Sequence, residues 1–160
     1  MTHHTPQLCP APSQPLNSAC VAITLRLADS DDDLLVRQVR LLRDCVALAQ
    51  QRWGFTIDAA AVLPNEMHLL CLFPDADFGT GGAIKLICTA FYRHLPSRGA
   101  SVWSQDKEVL EISDAVAPLR RVFVEAAPVR AGLVKAAGDW PYSSAHVGTA
   151  QGGEMGVAVA

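Results

Sequence analysis

No apolar run in this 160-residue chain approaches the ~20 residues of a membrane-crossing helix, so no membrane span is expected. Met1-Thr2-His3-His4 brings neither a basic stretch nor a long apolar one, which argues against a secretory signal. There is no excess of positive charge. The net charge is −3, whereas a nucleic-acid binder usually carries a basic footprint, so any such patch has to be local. CxxC is absent too. Cys9, Cys20, Cys45, Cys71 and Cys88 are odd in number and widely spaced, which fits neither a disulfide framework nor a zinc ribbon. Most read as small buried hydrophobes in a reducing, cytoplasmic setting. The stretch from Pro74 to Gly82 lacks the GxxxxGK[ST] spacing of a phosphate loop and reads as a connecting loop. No internal repeat occurs.

What is present suits one packed domain: hydrophobic residues make up 50% of the chain and charged ones 18%. Pro6, Pro10, Pro12 and Pro15 among polar residues mark residues 1–18 as a disordered arm. The domain is expected over 19–147, with a Gly/Ala-rich flexible tail over 148–160. Ala19 to Leu27 is apolar and partly β-branched, a first strand. Ser30 reads as a helix N-cap, with Asp31 and Asp32 in the first turn and Asp33 in the capping-box position. Leu35, Val39, Leu42, Val46 and Ala49 then recur at helical spacing until Gly54. Capping is preferred over a cation site for the three aspartates, because the periodic helix follows at once.

Phe55 to Leu63 and Glu66 to Phe73 read as two strands joined at Pro64-Asn65. Residues two apart on a strand share a face, so Glu66 and His68 stand side by side near the turn. A second long helix follows from Ala83 to Leu95, carrying Lys85, Tyr92 and Arg93. Val109 to Ile112 is a short fourth strand. A third helix runs from Asp114 through Arg120 and Phe123 and is interrupted at Pro128. The order β-α-β-β-α-β-α is that of the ferredoxin-like split βαβ plan. An α+β fold is expected, with a four-stranded antiparallel sheet, helices on one face, and a C-terminal helical segment.

Four stretches carry a resemblance to a known family. They are Leu63-Pro64-Asn65-Glu66-Met67-His68-Leu69-Leu70; Asp75-Ala76-Asp77-Phe78 with Ile84-Lys85; Ala127-Pro128-Val129-Arg130-Ala131-Gly132-Leu133-Val134; and Asp139-Trp140-Pro141-Tyr142-Ser143-Ser144. In order and spacing they resemble the REP-associated tyrosine transposases, a branch of the HUH single-tyrosine transposases, over roughly Ala19 to Val147. The resemblance implies binding of single-stranded or hairpin DNA. It implies a divalent metal, Mg²⁺ or Mn²⁺, held by a His-x-His pair and polarising a backbone phosphate. It also implies attack by a tyrosine in a Tyr-x-x-x-Asn-Pro pattern.

Position by position, the first histidine falls at Glu66 and the second is kept as His68. The nucleophile falls at Phe123, which has no oxygen to attack with, and the asparagine at Ala127. The resemblance therefore implies a transposase-like DNA-binding domain of degenerate type, which keeps the fold and has lost strand cleavage, with retained DNA binding left open. Glu66 and His68 are at most a weak metal pair, and no bound metal is a standing alternative. Tyr92 is the candidate substitute nucleophile, because related enzymes outside this branch keep their tyrosine on a helix after the His pair. Tyr142 reads as structural. Lys85, Arg93, Arg120, Arg121 and Arg130 are the candidate DNA contacts, and Lys135 adds to the basic cluster. The competing readings are an active single-strand transesterase using Tyr92, a non-enzymatic hairpin binder, and a protein-interaction scaffold. The oligomeric state is left open.

Overall fold

The two longest strands are nearly continuous apolar runs, ACVAITLR and EMHLLCLF, so both of their faces are covered. A computed structural model describes residues 18–96 and 101–146. The arm and tail expected over 1–18 and 148–160 lie almost wholly outside these, as do Cys9 and the His3-His4 pair. Strands β1 (Ala19–Arg26), β2 (Thr56–Val62), β3 (Glu66–Phe73) and β4 (Glu108–Ile112) form one sheet in the order β2-β3-β1-β4. Every neighbouring pair is antiparallel. This is the expected split βαβ plan.

One face of the sheet buries Val21, Ile23, Leu25, Met67, Leu69, Cys71 and Phe73. Helices α2 (Val39–Trp53) and α3 (Ala76–His94) cover that face with Leu42, Val46, Ala49, Ile84, Ile87 and Phe91. The other face is paved with small side chains. Ala22, Ala59, Ala61 and Leu70 meet Val124 of α4 (Ala117–Glu125) and Ala127 of α5 (Ala127–Arg130). Alanine at three of these positions lets the α4–α5 turn sit close to the strands. The segment after it covers the free edge of β2: Val62 N donates to Tyr142 O at 2.8 Å and Ser144 N to Ala60 O at 2.9 Å. Trp140 Nε1 donates to Val62 O at 2.8 Å.

Two expectations about helix starts need correction. Ser30 is not an N-cap; the first turn, α1 (Leu34–Arg37), begins after Asp33, whose side chain makes no capping bond. The hairpin turn holds the preceding loop instead. Asn65 Nδ2 donates to Ser30 O at 2.9 Å, and Leu35 N donates to Pro64 O at 3.1 Å. Asp32 and Asp33 bind Arg37 rather than the helix end.

The Gly79–Gly82 stretch is not a connector but the first turns of α3, which starts at Ala76 with Asp75 accepting from Phe78 N. Its glycines permit close packing: a Cβ on Gly79 would lie 3.2 Å from Phe73 Cδ1, and one on Gly82 2.2 Å from Trp53 Cζ2. Gly81 has nothing within 4 Å. The two neighbours are therefore expected to respond oppositely to alanine. Gly81→Ala gains helix propensity and should stabilise by up to ~1 kcal/mol. Gly82→Ala gains the same but must displace the indole, and overpacking at about 1–3 kcal/mol outweighs it. Urea denaturation of the two variants checks the sign of each.

The described cysteines are unpaired. Burial pushes the Cys45 and Cys88 thiols up to about 11 and raises that of Cys71 further. That is the behaviour of small hydrophobes rather than reactive thiolates. Among the described residues no helix is long and apolar enough to cross a membrane.

Candidate functional site

Glu66 opens β3 immediately after the tight turn closed by Leu63 N donating to Glu66 O at 2.8 Å. The antiparallel register sets Arg26 opposite Glu66 and Thr24 opposite His68. All four side chains therefore project from the α4 side of the sheet, with Ala61 of β2 opposite His68 on its other flank. Alternation along β3 thus brings Glu66 and His68 together as expected, and adds two partners from β1.

The four form one continuous chain of hydrogen bonds from Thr24 to Arg26. His68 Nε2 lies 3.1 Å from Glu66 Oε1, and His68 Nδ1 lies 3.3 Å from Thr24 Oγ1. Arg26 Nε donates to Glu66 Oε2 at 3.2 Å and its Nη2 reaches Glu108 Oε2 at 3.6 Å. A carboxylate only accepts, so His68 donates from Nε2 to Glu66, while the Thr24 hydroxyl, able to donate or accept, partners Nδ1. His68 is 6% exposed and Thr24 1%. The His68 hydrogen bond holds the Glu66 carboxyl below the ordinary range. Burial opposes this, and the His68 and Arg26 charges assist it.

The sign of the linkage follows. A carboxyl depressed in the folded state contributes stability that is fully present above its unfolded value of about 4.3 and lost as pH falls through the folded value. Glu66→Gln is accordingly expected to destabilise at pH 7 and to converge on the parent protein as the pH drops below 4. Denaturant midpoints across that range measure it; a constant gap at every pH would contradict it.

This pair does not fit a divalent metal. Both imidazole nitrogens already have protein partners, and Glu66 is shared with a permanently charged guanidinium. Among the described residues no three His, Cys, Asp or Glu side chains gather in a metal-binding group.

Phe123 lies on α4 above this face, 43% exposed, with guanidinium groups on its ring. Arg120 Cζ is 4.5 Å and Arg130 Cζ 3.7 Å from the ring centroid. Arg130 Nη1 also donates to the Phe123 carbonyl. Burial pulls the Arg130 guanidinium below its ordinary value, Glu66 pulls it back up, and Arg120 adds to the lowering. Among the described residues neither Arg120 nor Arg130 has a carboxylate within ion-pair distance, and Arg120 Nε is buried without a partner.

Arg121 differs. It pairs with Asp58 at 3.2 Å and Glu125 at 3.6 Å, so its charge is already compensated. Lys85, Tyr92 and Arg93 all lie on α3, in the layer against the opposite face of the sheet. The structure does not bring Tyr92 to Glu66 and His68, because the sheet separates them. Tyr142 packs against the core and meets Trp140 edge-on at 5.5 Å.

Sequence reasoning missed Thr24, Arg26 and Glu108. The split plan places β1 beside β3, but only the register says which residues of β1 face the pair.

No family model matches the chain. It is 25% identical over 138 residues to a Haemophilus influenzae protein assigned to the REP-associated tyrosine transposases, covering 77% of each chain. It is also 25% identical over 132 residues to the REP-associated tyrosine transposase of Escherichia coli, covering 81% of this chain and 78% of that one. A solved structure of a REP-associated tyrosine transposase bound to a REP hairpin shares the fold, with a TM-score of 0.74 and 24% identity over 80% of this chain and 77% of that one. The resemblance carried by the four sequence stretches therefore stands across about four-fifths of the chain.

Proposed function

We propose that the unit spanning 19–147 is a transposase-like DNA-binding domain that holds hairpin-bearing single-stranded DNA on its α4 face and does not cleave it. The observation that carries this reading is the pair of guanidinium groups, Arg120 and Arg130, set on Phe123 without carboxylate partners. Two cations with no carboxylate at ion-pair distance, set on an exposed aromatic ring, suit a phosphate and a neighbouring base. The solved relative was bound to a REP hairpin, which supports the same ligand class here. The reading places the protein in the cytoplasm.

The side chains of the α4 face support the non-cleaving part of this reading. Phe123 offers no nucleophilic oxygen, and the Glu66–His68 pair is committed to Arg26 and Thr24. Tyr92 is given no part, since it stands across the sheet.

The test combines two measurements on the full chain with a hairpin-bearing single strand. Binding is expected at low salt and should weaken steeply as salt rises, the signature of counterion release. Incubation with Mg²⁺ or Mn²⁺ should give no covalent protein–DNA adduct on a denaturing gel. An adduct abolished by Tyr92→Phe would overturn the non-cleaving reading. No binding at low salt would overturn the DNA-binding one and favour a protein-contact scaffold.

A further inference from the structure

A second cationic surface lies in the helical layer, across the sheet from Glu66 and His68. Arg52 and Trp53 end α2, while Gly82, Lys85, Leu86 and Thr89 face them from α3, and together they line a cleft of about 310 Å³. The indole occupies the space that any side chain at position 82 would need. Phe78 meets it edge-on with centroids 5.4 Å apart and is itself 73% exposed. The Arg52 guanidinium carbon lies 5.9 Å from the indole centroid. Among the described residues neither Arg52 nor Lys85 has a carboxylate within ion-pair distance. The Trp53 Nε1–H is buried without an acceptor, a state that costs about 1–3 kcal/mol and asks for an explanation.

These groups select a ligand by chemistry. A simple anion would satisfy the cations and leave the indole and Leu86 unused. An uncharged aromatic would do the reverse. A planar ring joined to a phosphate uses both, since base stacking on an aromatic side chain is worth about 1–3 kcal/mol and guanidinium and ammonium groups take the phosphate. A volume of about 310 Å³ is at the small end of ligand sites, enough for one nucleotide and too small for a duplex.

We propose that this cleft binds a nucleotide, its base against Trp53 and its phosphate between Arg52 and Lys85. The nucleotide is either free or an unpaired residue of a single strand. The site lies on the opposite face of the sheet from Arg120 and Arg130 and does not depend on DNA binding there.

Indole N–H resonances of the full chain report on the cleft, because the sequence has three tryptophans and Trp53→Phe identifies the relevant signal. The chain is titrated with dTMP, with oligothymidylate and with inorganic phosphate. The Trp53 signal is expected to move with dTMP and with the oligonucleotide but not with phosphate. Arg52→Glu and Lys85→Glu should each weaken the response about fivefold or more, while Arg121→Ala, whose charge is already paired with Asp58 and Glu125, leaves the dTMP response intact. Equal affinity for dTMP and the oligonucleotide assigns the site to free nucleotides. Clearly tighter oligonucleotide binding assigns it to a strand. A Trp53 signal unmoved by millimolar dTMP and oligonucleotide overturns the proposal. So does a response that survives both charge reversals, or one that phosphate alone reproduces.

Discussion

Replacing Arg120 and Arg130 together with alanine is expected to weaken binding of a hairpin-bearing single strand by about a hundredfold at low salt. A hydrogen bond to a charged group is worth about 1.5–3 kcal/mol, so each guanidinium accounts for roughly tenfold or more. The slope of log affinity against log salt should become shallower by about 0.7 for each single-strand phosphate left without its cation. Arg121→Ala is the matched control. It removes a charge of the same sign from the helix that carries Arg120, but one already paired with Asp58 and Glu125. Its expected effect is twofold or less, the range of a solvent-screened charge. Equal effects from Arg120, Arg121 and Arg130 would mean that a general basic field, and not the two arginines on Phe123, holds the strand. Phe123→Ala separates the remaining contributions: it removes the stacking surface while leaving both guanidiniums, and about 1–3 kcal/mol per stacked base is at stake.

The contrast among these arginines shows where the sequence could be read and where it could not. The order of elements was legible because Ala19–Arg26 and Glu66–Phe73 are short apolar runs of strand length, and α2 repeats with period 3.6. The facing of Tyr92 is legible in the sequence as well. In the split plan both crossover helices cover the more apolar face of the sheet, and on β3 that is the face of Met67, Leu69, Cys71 and Phe73. Glu66 and His68 occupy the alternate positions, so a residue on α3 could not meet them.

Three other features depended on the packing of distant segments against one another. Arg121 and Arg120 are neighbours in sequence, and only the packing of α4 over β2 says which one reaches Asp58. Ser30 looked like a cap until Asn65, 35 residues away, took its carbonyl. Gly79, Gly81 and Gly82 looked like a loop by composition, but Trp53 and Phe73 fill the space that side chains on Gly82 and Gly79 would need. Tertiary packing overrode local propensity there.

Glu66→His is expected to convert the closed pair into a metal site, and its effect on stability should be large. In the native chain the Glu66 carboxylate occupies His68 Nε2 and draws Arg26 across it. Removing the carboxylate leaves Arg26 with Glu108 as its partner. The new imidazole stands two residues from His68 on the same face, which is the spacing for two nitrogens to converge. The Thr24 hydroxyl supports this: holding His68 at Nδ1 fixes ring orientation, and a side-chain partner at the far nitrogen is how ligating histidines are positioned. Because Thr24 both donates and accepts, it tolerates the tautomer change that frees Nε2.

A thermal-denaturation series with Mn²⁺ or Co²⁺ reads the result. At a metal concentration a hundred times the dissociation constant, the variant gains about 2.7 kcal/mol, while the parent chain gains almost nothing. Thr24→Val added to Glu66→His should reduce the gain by loosening His68. An equal shift in the parent protein would show that Glu66 and His68 already accept a metal as they stand. Metal recovery and cleavage should separate cleanly. Glu66→His alone is expected to bind metal and form no adduct with DNA, because the ring at position 123 still has no oxygen to attack with.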